Sequence, residues 1–166
     1  MINKSEIQSN LTQLDNLYKR ARTIKKGSFY SKLAILELCG WIEESMDDVV
    51  GRCATRHLTE LDNLKFVKRT IKSTHSFEYD SNFREMLALV IGIINVEKLE
   101  RNLDQKKFQQ MKASLHSLKE RRDPQAHTHL VGTTSILDAP SVTYGRFSDV
   151  YYGLKEIETC LRKTRF

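Results

Sequence analysis

The sequence predicts an all-α fold, on the strength of its composition and of one recurring spacing. Of its 166 residues 40% are apolar and 29% charged, while glycine occurs seven times and proline twice. So few turn formers suit long helices better than a many-stranded sheet. Along most of the chain the apolar residues recur at steps of three and four, the period of a helix with one buried face. The length is one domain's worth, enough to bury roughly 70% of the surface that the unfolded chain exposes. The expectation is a single domain over residues 1–166, a bundle of about five to seven helices with a long loop before the last.

Taken in order, the first helix is expected from Ser5, its N-cap, to Lys25, with Ile7, Leu11, Leu14, Leu17, Ala21 and Ile24 on one stripe. Gly27-Ser28 is expected to end it. A second helix then runs from Ser31 to Ala54; its first half is apolar on most sides, as in a helix surrounded by neighbours. A third, basic helix is expected from Leu58 to Lys72, and the polar stretch after it reads as a loop with Asp80 or Ser81 as the next cap. The fourth helical region, from Asn82 to Leu103, contains Gly92, which marks close packing or a break near Asn95. Its run Val90-Ile91-Gly92-Ile93-Ile94 resembles a strand, but helical spacing continues on both sides and no second strand is available to pair with it. Asp104 is expected to cap a fifth helix, striped by Phe108, Met111, Leu115 and Leu118. The segment from Gly132 to Ser141 reads as surface loop, and Ser148 or Asp149 as the cap of the final helix.

A net charge of +6 and a pI near 9.2 favour polyanionic partners, without separating nucleic acid from an acidic protein or a membrane surface. Cys39, Cys53 and Cys160 are scattered, with no CxxC pair and no histidine at metal-ligand spacing, and read as reduced core thiols. Glu43, Glu44, Asp47 and Asp48 resemble a metal site only in that Glu44 and Asp48 lie one turn apart; convergence of ligands is not something one helix can show. No metal or cofactor is therefore expected. The polar start, Met1 to Glu6, lacks the apolar core of a signal peptide, and no apolar run approaches the roughly 20 residues that span a bilayer, so a cytoplasmic protein with no membrane partner is expected.

The densest chemistry lies in Arg121-Arg122-Asp123-Pro124-Gln125-Ala126-His127-Thr128-His129. In a straight helix, residues five apart are rotated by about 140°, so Arg122 and His127 do not share a face. Pro124 lacks a backbone donor and disfavours helix at Asp123, which predicts a kink or a new helix start there, with Asp123 as N-cap. Such a start would place free amides beside Arg122. Arg122 can then clamp a phosphate and His127 can move a proton, the requirements for cleaving RNA through its own 2′-hydroxyl without metal. The reaction needs a second proton-transfer group. His129 is one source; a second copy of the motif across a two-fold dimer is the preferred one. Arg121 reads as a phosphate contact.

Arg122-Asp123-Pro124-Gln125-Ala126-His127 resembles the Arg-polar-x-x-x-His signature of HEPN domains, helical domains of which many are metal-independent ribonucleases in toxin–antitoxin and phage-defence systems. The words from Ala126 to Thr134, Asp138-Ala139-Pro140-Ser141-Val142-Thr143 and Asp149 to Ile157 resemble the RiboL-PSP-HEPN branch in particular. The resemblance covers roughly the last third of the chain. It implies a dimerising bundle in which the arginine and histidine of both protomers line one cleft. Arg122 and His127 take catalytic roles, and Asp123 stands at the polar position where asparagine is commoner. Beside these, Arg121 and His129 are expected as flanking substrate contacts, with a structural hydrogen-bonding role the alternative for His129. The expected partners are RNA, a second copy of the chain and an antitoxin or defence-system protein. A non-catalytic RNA- or protein-binding HEPN module is the alternative.

Overall fold

The computed structural model describes residues 1–127 and 137–163, the side chain of His127 excepted. Among the described residues there are seven α-helices and no strand: α1 (Ser5–Lys19), α2 (Ile24–His57), α3 (Leu61–Ser73), α4 (Arg84–Ile91), α5 (Ile93–Asn102), α6 (Gln105–His127) and α7 (Pro140–Lys163). The all-α expectation holds. No helix among the described residues is long and apolar enough to cross a membrane.

α2 is the axis of the bundle. With 34 residues it is about 51 Å long at 1.5 Å per residue, and α1, α6 and α7 all pack on it. Its buried residues, from Ala34, Ile35, Leu38 and Cys39 through Ile42, Met46, Val49, Val50, Cys53 and Ala54, follow the three-and-four spacing of a continuous core face. α7 answers with Val150, Leu154, Ile157 and Leu161, and α6 with Met111, Leu115 and Leu118, all buried. α3 and α4 pack beside α2, and α5 reaches α7.

Several boundaries differ from the sequence expectation, each for a local reason. The first break falls at residues 20–23, not at Gly27-Ser28: Thr23 is extended and its side chain accepts from the Lys26 amide at 3.3 Å, an N-cap that lets α2 start at Ile24 and not at Ser31. Gly27 lies inside the first turns of α2, where a β-carbon would stand 3.3 Å from the Tyr18 ring, so its role is close approach of α1 to α2. Ser5 is the first residue of α1 and not its cap. The region from Asn82 to Leu103 is split at Gly92 itself, whose φ of 77° is costly for any residue with a side chain. A π-helical turn, Tyr79–Phe83, leads into α4, and Glu78 before it is extended with no side-chain cap; neither Asp80 nor Ser81 caps a helix.

Asp104 does cap α6, accepting from the Lys107 amide at 3.2 Å. That bond holds its carboxyl below the usual aspartate range. α7 begins at Pro140, well before Ser148 and Asp149. Proline suits a first helical position, where a missing amide costs nothing. Where α6 and α7 cross, a β-carbon on Gly153 would sit 2.6 Å from both Cβ and Sδ of Met111. Gly153→Ala is expected to destabilise the fold by about 1–3 kcal/mol through overpacking. Thermal melting of the purified variant measures this, and an unchanged midpoint would mean that the helices separate there without cost.

Candidate functional site at the C-terminal turn of α6

α6 does not break at Asp123. It continues through Pro124 to His127. Met111, Leu115 and Leu118 bury its inner face and Gln125 is only 7% exposed, so packing on α2 and α7 holds the last turn helical against the local preference of proline. The expected helix start beside Arg122 is therefore absent, and with it the free amides that would have bound a phosphate. Arg122 and His127 occupy positions on one continuous helix, about 140° apart around its axis.

Side chains from other elements hold Arg122 in place. Its guanidinium meets Glu43 Oε1 on α2 at 3.2 Å and Asp123 Oδ1 at 3.6 Å, and it lies over the Phe77 ring at 6.0 Å. The side chain remains 27% exposed, so one side of the group stays open to solvent. Asp123 also receives Lys119 Nζ at 3.2 Å. Two cations thus offset its charge. Beneath this group Cys39 is buried, and burial pushes its thiol up to about 12, with Arg122 opposing and Glu43 and Asp123 adding to the shift. This favours the thiol form, in keeping with the reading of Cys39 as a reduced core thiol.

Arg121 is engaged elsewhere. Its Nε lies 3.0 Å from Asp138 Oδ2, and the same oxygen takes Arg146 Nη2 of α7 at 2.8 Å. Arg121 thereby ties the end of α6 to the start of α7, which weakens its reading as a substrate contact. The motif's arginines are separated: Arg122 is brought to α2, and Arg121 to α7. His129 and the His127 side chain lie outside the described residues.

The acidic face of α2 acquires a use that its sequence did not reveal. Glu43 is the anchor of Arg122, and Asp48 pairs with Arg52 at 2.8 Å. Burial, then the charges of Glu43 and Glu44, push the Asp47 carboxyl up to about 6. Among the described residues no three His, Cys, Asp or Glu side chains gather in a way that would hold a metal ion. Glu43, Phe77, Asp138 and Arg146 are the site's supporting residues that sequence reasoning missed. Glu43 and Asp138 were visible in the sequence in other connections, and Phe77 stood out only as an aromatic in a polar stretch.

The fold and these side chains define an all-α protein carrying a buttressed arginine at the end of a helix. Comparison with family models, with curated proteins and with solved structures finds no match for the chain.

Proposed function

We propose that the protein is a metal-independent endoribonuclease of HEPN type, a toxin or phage-defence effector whose site is completed by a second copy of the chain. The observation that carries the reading is Arg122: half-buried, oriented by Glu43 and Phe77, and open on one side, five residues before the histidine of the motif. An arginine fixed in this way is preorganised to meet the charge that develops on a phosphate in the transition state. The separation of Arg122 and His127 around α6 favours completion across a dimer, since one phosphate between them is better served by residues of two copies than of one. Arg122 is the phosphate clamp and His127 the proton carrier; Asp123 tempers the arginine's charge.

In the reaction the 2′-hydroxyl loses its proton to a base and attacks the adjacent phosphorus. The bond to the 5′-oxygen breaks, and that oxygen takes a proton from an acid, leaving a 2′,3′-cyclic phosphate. Incubating the purified chain with RNA in EDTA and identifying the new 3′ ends tests the reading. Cyclic phosphate ends are expected; intact RNA, or cutting only after divalent metal is added, refutes it.

One observation favours the alternative, a non-catalytic RNA- or protein-binding module. Arg122 already faces two carboxylates, an arrangement suited equally to a structural tie. RNA binding without turnover is the outcome that would select it.

A further inference from the structure

A cavity of 540 Å³ opens where α1 hands over to α2, lined by residues that include Tyr18, Arg22, Thr23, Ile24, Ser31 and Leu137. Its size falls within the range of small-ligand sites. Its lining is divided in kind. Tyr18, Ile24 and Leu137 give an aromatic and aliphatic wall, while Arg22, Thr23 and Ser31 give a guanidinium and two hydroxyls.

Two features separate it from an ordinary surface hollow. Ser31 is 1% exposed yet forms part of the cavity lining, and a serine hydroxyl can both donate and accept a hydrogen bond. Arg22 has no ion-pair partner among the described residues, whereas Lys19, also on the rim, is neutralised by Asp15 at 2.5 Å. Arg20, Lys25 and Lys26 stand around the same junction and raise its positive potential. Thr23 adds the start of α2, where unpaired amides favour an anion.

The chain links the cavity to the motif's end of α6: Leu137 forms part of the cavity wall, and the next residue, Asp138, carries the ion pair to Arg121. We infer that this cavity is a nucleotide subsite: it takes one base against Tyr18 and Leu137, and the attached phosphate against Arg22 and Ser31, of a single-stranded RNA whose chain continues towards Arg122. The inference rests on the proposal that RNA is the ligand, but not on catalysis. Single-stranded RNA is the form that fits, because a base must leave its pairing partner to enter a cavity.

The test uses the full chain carrying His127→Ala, so that binding is read without turnover, and a fluorescent single-stranded RNA of eight nucleotides. Arg22→Glu is compared with Lys98→Glu, which makes the same charge change at an exposed position of α5. Arg22→Glu is expected to weaken binding about tenfold more than Lys98→Glu and to lower the salt-dependence slope by about 0.7 or more, the value for one phosphate contact on a single strand. AMP is expected to compete with the RNA, and Ser31→Ala, checked by its melting curve to be folded, to weaken that competition. Equal effects of the two charge reversals, AMP binding indifferent to Arg22, AMP that saturates the protein without displacing RNA, or no RNA binding at all would each overturn the subsite. If the unsubstituted chain leaves RNA uncut while Arg22-dependent binding persists, the ribonuclease proposal fails and the subsite stands.

Discussion

Arg122→Ala and His127→Ala are each expected to reduce RNA cleavage by about two to four orders of magnitude, the range lost when a transition-state cation or a proton-transfer group is removed. The two substitutions should differ in what else they disturb. Arg122 is tied to Glu43, so its removal leaves a partly buried carboxylate without its cation, and a modest loss of stability should accompany the loss of activity. Arg122→Lys separates the two effects: it keeps a positive charge for Glu43 but loses the planar fork that holds a phosphate at two points, so the fold should recover more than the activity does. Initial rates on a short RNA, measured beside melting curves, decide the matter. Cleavage that survives both alanine variants would place the active site elsewhere.

The second large effect is expected at Phe77. The side chain is fully buried, in the segment between α3 and the π-helical turn, and its ring lies under the Arg122 guanidinium. Phe77→Ala should cost about 3–5 kcal/mol and lower the melting midpoint by about 10 °C in a chain of this size. Phe77→Leu fills most of the volume without the ring, so it should restore most of the stability while leaving Arg122 less well held. A Phe77→Ala variant that melts with the unsubstituted chain would show that the ring is not the floor of the site.

The interior of the bundle was legible because burial imposes a period. The spacing of Ala34, Ile35, Leu38, Ile42, Met46 and Val49 along α2 follows from one face meeting its neighbours, and no tertiary knowledge is needed to read it. Helix ends were less legible, since several residues compete to mark them. Gly27-Ser28 looked like a stop, but Gly27 is small so that Tyr18 can approach, and the cap is Thr23. Pro124 looked like a break, and the packing of α6 overrode it. Pro140, read as part of a loop, opens α7.

The candidate site was legible as a motif and illegible as an environment. Arg122 stood out by its neighbours in sequence. Its partner Glu43 lies 79 positions away, and nothing in either segment names the other; only the packing of α6 on α2 brings them together. The same applies to Arg121, whose pairing with Asp138 depends on where α7 begins.

The tie between Arg122 and its two carboxylates has a consequence for what such a site would hold. An anion reaching the guanidinium on its open side meets a cation whose charge Glu43 and Asp123 already offset. The gain is what remains after the two carboxylates repel the newcomer, so free orthophosphate should occupy the position weakly. A strand gripped at neighbouring points carries its phosphate there at high local concentration and overcomes that repulsion. Selectivity for polymer over monomer would then follow from the resting state of one arginine.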